Sequence, residues 1–195
     1  RKWELVALTD TKLGTSNTLG TRNQTRPNWT ILSRGRVALA LNERWFEAWQ
    51  HSNLPIHTDG NGQQCRMMLV HIPCFQRLGL AIIITYAPSS NASPEDHATY
   101  YTNLEALIAK VRPRFTLLIA GDFNAEVGTR SPETGTALGP HGPSHRTNRG
   151  LQLCHFCNEH GLAVANTWTP QRTKATWWQL RFGTSHLIDF FLISH

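Results

Sequence analysis

The apolar run Phe115-Thr116-Leu117-Leu118-Ile119-Ala120 closes on Gly121-Asp122-Phe123-Asn124, and this junction limits the folds open to the chain more than any other stretch. A run of this length and composition suits one buried strand. A carboxylate is costly to bury inside a sheet, so Asp122 belongs at a rim where water, metal or substrate can meet it. Asn124, two residues on, shares the side of Asp122 if the extended conformation continues. Spacing alone leaves two readings open. One is a capped strand end or an Asx turn; the other is a catalytic rim, which needs partners elsewhere in the chain.

Other strands end in the same way. Trp3 to Leu8 is a β-prone run followed at once by Asp10, and Leu78 to Tyr86 ends in Tyr86-Ala87-Pro88. Cys65 to Ile72 and Leu78 to Tyr86 read as an antiparallel pair joined by a short connection. Leu162 to Asn166 ends in an amide, and Leu187 to Ile193 carries Asp189 inside an apolar strand, where it requires a partner. Between them, Val37 to Leu41 is a further strand, Arg44 to Trp49 continues as strand or turn, and Gly14 to Arg36 reads as surface loop with one short strand near Trp29 to Leu32. Arg22, Arg26, Arg34 and Arg36 make that loop basic.

Two helices are expected. Ser93-Pro94-Glu95-Asp96 is a helix start with cap, proline and first-turn acids in place, Tyr101, Leu104, Leu107, Ile108 and Val111 form its apolar face, and Pro113 stops it. A second runs from about Arg149 to His160, with Leu151, Cys154 and Cys157 inward and Gly161 closing it. The stretch between Ala125 and Asn148 is too long for an ordinary connection and points to a functional or mobile loop, with a basic solvated face as the alternative.

A chain of 195 residues with seven Trp and eight Phe is most simply one domain over residues 1–195, able to bury a core without disulfides or a structural metal. Its formal charge of +6 and pI near 9.6 favour a polyanionic partner. Four cysteines, no leading signal peptide and no apolar run long enough to span a bilayer set the expectation of an intracellular protein, nuclear or cytoplasmic, with no membrane partner. Cys154-His155-Phe156-Cys157 with His160 invites a zinc reading, but a second ligand pair is missing and the segment reads as helix.

The order of these strand ends resembles the endonuclease/exonuclease/phosphatase superfamily. Leu8-Thr9-Asp10-Thr11-Lys12-Leu13 is similar to the family's Leu-Gln-Glu-Thr block, Tyr86-Ala87-Pro88 to its Tyr-Ala-Pro, Gly121-Asp122-Phe123-Asn124 to its Gly-Asp-Phe-Asn, and Ile188-Asp189-Phe190 to its Ile-Asp-Tyr. Ala125-Glu126-Val127-Gly128, Asn148-Arg149-Gly150, Ala175-Thr176-Trp177 and Ser185-His186-Leu187 resemble the endonuclease domains of RTE-type non-LTR retrotransposons. The resemblance implies a four-layer α/β sandwich of two mostly antiparallel sheets, deoxyribonuclease-like. It also implies magnesium-dependent hydrolysis of DNA phosphodiesters, by a monomer whose parent protein carries a reverse transcriptase domain.

By the same resemblance Asp10 stands at the metal ligand, Asp122 at the acid that activates water, Asn124 at the amide that orients it, and Tyr86 at a phosphate contact. Asp189 is a further active-site acid, and Asn166 and Trp177 line the substrate at the rim. Two departures accompany the match. Asp10 replaces a Glu and reaches one methylene less far, so weaker magnesium binding is expected. The family's first and last strands, with the C-terminal Ser-Asp-His, do not fall within the sequence, so poor nicking is expected. A degenerate nucleic-acid or protein binding module is the rival reading, and a phosphodiesterase for inositol phosphates or sphingolipids is a third within the superfamily.

Overall fold

The computed structural model describes residues 4–11, 16–21, 29–75, 78–170, 175–179 and 183–194. Trp3, Lys12, Leu13, Arg22 and Arg26, named above, lie outside them. The chain divides into two compact units, Arg1–Tyr86 with Pro94–Gly121, and Ala87–Ser93 with Asp122–His195.

The first unit holds β1 (Leu5–Thr9), β2 (Ser16–Thr21), β3 (Trp29–Arg34), β4 (Val37–Asn42), α1 (Glu43–Ser52), β5 (His57–Thr58), β6 (Met67–Phe75), β7 (Leu78–Tyr86), α2 (Pro94–Ile108) and β8 (Phe115–Asp122, entering the second unit at its last residue). One antiparallel sheet runs in the order β1-β4-β3-β2, with Leu5 opposite Leu41 and Trp29 opposite Asn42. The neighbours β5-β6-β7-β8 follow one another in the second sheet, and β6 and β7 are antiparallel, Met67 facing Thr85. Period-2 alternation sends Leu39 and Leu41 of β4, Met68, Val70 and Ile72 of β6, and Ile82 and Ile84 of β7 into one core, all essentially inaccessible to water. Burying each such side chain contributes about 1.5–3 kcal/mol, which makes this cluster the main stabiliser of the unit.

Three expectations fail here for identifiable reasons. Arg44 to Trp49 is helix, not strand or turn. The Asn42 side chain accepts the Trp45 N–H at 3.1 Å as an N-cap, and Trp45, Phe46 and Trp49 lie three to four residues apart, so one helical face covers the core cluster. Their β propensity is overridden by that packing. The Gly14 to Arg36 loop contains β2, whose residues show no apolar alternation and which pairs at the sheet edge. In α2 Leu104 and Leu107 are buried as expected, but His97 and Tyr100 complete the buried face while Tyr101 and Ile108 are half-buried, and the helix ends at Ile108, before Val111.

The second unit holds α3 (Asn148–Glu159), β9 (Leu162–Val164), β10 (Trp177–Gln179), β11 (Thr184–His186) and β12 (Asp189–Ser194). β12 and β9 pair antiparallel, and β10 and β11 form a separate antiparallel pair. Thr147 caps α3 by accepting the Gly150 N–H at 3.1 Å. Leu153, Cys154, Phe156 and Cys157 are buried, whereas Leu151 is half-buried. Burial pushes the Cys154 thiol up to about 11 and the Cys157 thiol higher still, so both are protonated groups of the core.

The long connection before α3 is a packed loop. Val127, Ala137 and Leu138 are fully buried, and Val127 bridges Arg146 while Leu138 bridges Val164. Arg146 stitches it: its guanidinium donates to the Val127 carbonyl at 2.9 Å, to the Thr129 carbonyl and to Ser131 Oγ at 3.2 Å. Arg146 is therefore a structural group of the loop rather than part of a solvated basic face.

Candidate active site

The residues singled out above fall into two groups, one in each unit. In the first unit, four strand ends meet. Asp10 follows β1 with a φ of 49°, the left-handed region that Asp tolerates better than most residues. The turn between β3 and β4 is Gly35-Arg36. Gly35 has a φ of 55°, and a Cβ there would sit 2.5 Å from the Cys65 carbonyl oxygen, so only glycine allows this approach. That approach lets the Arg36 N–H reach the same carbonyl at 2.9 Å, while the Arg36 carbonyl accepts the Thr11 N–H at 3.0 Å.

Arg36 Nη2 then lies 2.9 Å from Asp10 Oδ1, both side chains about half exposed. Tyr86, at the end of β7, has the guanidinium carbons of Arg36 and Arg66 at 5.1 and 5.3 Å from its ring centroid. Arg66 also donates from Nη1 to the Tyr86 carbonyl at 3.4 Å. The Asp59 carboxylate accepts the backbone N–H groups of Arg66 and Met67, each at 3.0 Å, and so holds the entry to β6 in place.

Whether this group suits magnesium is decided by Asp10. Magnesium is held by one or two carboxylates completed by water and phosphate oxygens. The Asp10 carboxylate is instead committed to a guanidinium, with a second guanidinium on the same tyrosine. Among the described residues no three His, Cys, Asp or Glu side chains converge on a point that could hold a metal ion. A magnesium ion at Asp10 would have to displace Arg36.

In the second unit Asp122 and Asn124 take the first of the two forms open to them, a local turn. Asp122 Oδ1 accepts the Asn124 N–H at 2.8 Å, which is an Asx turn, and Asn124 has a φ of 47°. The extended conformation therefore does not persist through Asn124. The turn is nevertheless pinned from two directions: the Phe123 N–H donates to the Ile188 carbonyl and the Ala87 N–H to the Asp122 carbonyl, each at 2.8 Å. The Asn124 amide donates from Nδ2 to the Ala87 carbonyl at 3.0 Å, which fixes the amide plane.

The Ile188 contact brings the segment bearing Asp189 beside the turn. Asp189 is half-buried, and burial pushes its carboxyl up, against a hydrogen bond from Thr176 that lowers it. Thr176 Oγ1 also accepts the Ile188 and Asp189 N–H groups at 3.2 Å each. This is the partner that an Asp in an apolar strand demanded. Asn166 braces the same strand, accepting the Phe191 N–H at 2.7 Å and reaching the Asp189 carbonyl at 3.5 Å. Trp177 is exposed on β10, its ring 5.4 Å from that of His186 on β11.

One acid here was quoted in the sequence but given no role. Glu126 is 8% exposed, and its Oε2 lies 2.9 Å from His145 Nδ1 and 3.1 Å from His186 Nδ1. Both imidazoles donate to one carboxylate oxygen, which sets both as Nδ1–H tautomers when neutral. The only sequence signal is the charge itself, standing between the small residue Ala125 and the apolar Val127. Arg36 was read only as one of several basic loop residues, and nothing marked Arg66.

The α/β layers, with antiparallel sheets and polar turns at their strand ends, define the deoxyribonuclease-like class of fold. A 3′ phosphatase from Neisseria, solved bound to a product DNA hairpin, has the same fold with a TM-score of 0.57 and 16% identity, over 98% of this chain and 76% of that one. The family model described as endonuclease-reverse transcriptase matches residues 80–195. The chain belongs to this family of the endonuclease/exonuclease/phosphatase superfamily. It is similar to craniofacial development protein 2 of Bos taurus, 31% identical over 149 residues, and of Tragulus javanicus, 30% identical over the same length. Each match spans 75% of this chain but only 23% and 24% of those proteins. Among the described residues no helix is long and apolar enough to cross a membrane.

Proposed function

We propose that the chain is a nuclease-type phosphodiester hydrolase acting on DNA, derived from the endonuclease portion of a retrotransposon. The pinned Asp122–Asn124 turn carries this reading. A general base must be held within reach of the proton it removes, and here the carboxylate is fixed by the Asn124 N–H while backbone bonds from Ala87 and to Ile188 hold the turn rigid. Asp122 takes the proton of the attacking water, and Asn124, its amide oriented by Ala87, positions that water. Asp189, whose carboxyl burial pushes up, is the acid we assign to return a proton to the leaving oxygen. The family and the fold support the class of reaction, and the Neisseria enzyme's DNA product supports the class of substrate.

Supercoiled plasmid incubated with the chain, in magnesium and in EDTA, tests the proposal. Nicking is expected in at least one condition, and Asp122→Ala should lower it by about 10²–10⁴-fold, the usual contribution of a positioned base. Nicking that is unchanged in Asp122→Ala refutes the assignment. The second reading, a binding module without turnover, is favoured by the Asp10–Arg36 ion pair alone. It predicts DNA retention without nicking in either condition.

A further inference from the structure

We propose that Arg36 and Arg66, gathered on Tyr86, form a phosphate clamp that engages the nucleic-acid backbone without a divalent cation, Arg36 taking at Asp10 the place a metal would need. The inference deepens the proposed function, since it rests on nucleic acid being the substrate. Two guanidiniums lie within cation–π distance of one ring, and each has a partner in the chain. Asp10 offsets Arg36 and the Tyr86 carbonyl engages Arg66. The Asp10–Arg36 pair is not a tight lock, because an ion pair between half-exposed side chains is worth little in water.

A backbone phosphate can therefore exchange with Asp10 on Arg36. It brings negative charge to two neighbouring cations, and it offers oxygens that match the planar donor fork of arginine. A divalent ion at Asp10 meets the reverse situation, since it must displace Arg36 and then sit beside two positive side chains. The construction of the turn points the same way. Gly35 and the Cys65 carbonyl hold the backbone of Arg36, and Asp59 holds that of Arg66. Both cations thus rise from fixed backbone toward the phenol that the family resemblance assigns to phosphate.

Fluorescence anisotropy of a short labelled DNA duplex with the full chain, in EDTA and in magnesium over a salt series, tests this. Binding is expected in EDTA, with no gain from magnesium. Arg36→Ala and Arg66→Ala should each reduce the slope of log K against log salt by about 0.9, the value of one duplex phosphate contact. Arg36→Lys and Arg66→Lys keep the charge, should keep the slope, and show that the fold survives change at these positions. Asp10→Asn removes the competing carboxylate and should tighten binding in EDTA. Displacement of the duplex by inorganic phosphate assigns the clamp to phosphate groups generally, whereas slope loss without displacement assigns it to the polymer backbone. Unchanged slopes in both alanine variants, or binding that requires magnesium, overturn the clamp. Nicking lost in Asp122→Ala alongside unchanged arginine slopes rejects the clamp and keeps the hydrolase; arginine-dependent binding in EDTA with no nicking does the opposite.

Discussion

Gly121→Ala is the most demanding test of the geometry that leads into the Asp122–Asn124 turn. A Cβ on Gly121 would lie 1.8 Å from the Thr85 carbonyl oxygen and 2.8 Å from its carbonyl carbon, and the glycine has a φ of 158°. The neighbour is backbone of the central strand β7, and Thr85 is fully buried, so relief requires β8 to move off its place. Overpacking of this kind costs about 1–3 kcal/mol, and holding alanine in a region essentially reserved for glycine costs about 1–3 kcal/mol more. A loss near 4 kcal/mol is a large part of a typical stability of about 5–15 kcal/mol. Gly161 provides the control, because its φ is 60° and nothing lies within 4 Å of a Cβ built there. Gly161→Ala should cost only the conformational term, about 1–2 kcal/mol. With a urea m-value of ~2 kcal/mol/M, the midpoint should fall by about 2 M for Gly121→Ala and by less than ~1 M for Gly161→Ala. Equal midpoint shifts would refute the claim that the Thr85 carbonyl, rather than the backbone angle, makes glycine necessary.

Two further tests address buried charge. His71 accepts the Arg112 N–H on Nε2 at 3.3 Å, so its proton sits on Nδ1, which is buried with no partner; burial, then His57 and Arg112, hold its pKa below the ordinary value of 6.5. The unfolded chain then binds the proton more readily, so this contribution to stability is present in full above pH 6.5 and is lost as pH falls below it. The urea midpoint should fall between pH 7.5 and pH 5, and fall less in His71→Phe; equal pH dependence in the two proteins counts against the argument. Glu126→Ala should cost about 1–3 kcal/mol, because it strips a buried acceptor from two imidazoles, while His145→Ala should cost about 1 kcal/mol or less, its side chain being 67% exposed. Urea midpoints that rank the two in the other order would show that Glu126 is not the anchor of this cluster.

The strands were legible where burial imposes a pattern. β4, β6, β7 and β8 are apolar runs because their side chains meet packed neighbours, β12 is apolar although Phe191 and Ile193 are exposed, and the ends of all five fall within a few residues of the expected ones. α2 and α3 announced themselves through Pro94 and through the Gly161 stop. What escaped was structure whose cause lies outside its own segment. α1 is aromatic because its face closes over the core cluster, and aromatic residues in a short window read equally as strand. β2 exists because β3 offers an edge to pair with, a reason that no property of Ser16 to Thr21 discloses. The loop before α3 looked unstructured because its order comes from Arg146 and from isolated bridges rather than from periodicity.

The candidate site divides along the same line. Asp122, Asn124 and Asp189 could be found because each is a polar residue at a place where an apolar strand makes polarity expensive, and the structure supplies the partners that such residues require. Asp10 was found for the same reason, but its partner could not be. A carboxylate at a strand end is equally consistent with a metal and with a guanidinium from another strand, and the choice depends on Arg36, which only the Gly35 turn and the Cys65 carbonyl bring to it. A one-methylene change from the family's Glu therefore carries more weight than its size suggests. The shorter acid sits in a left-handed backbone against an arginine that comes from the turn between β3 and β4.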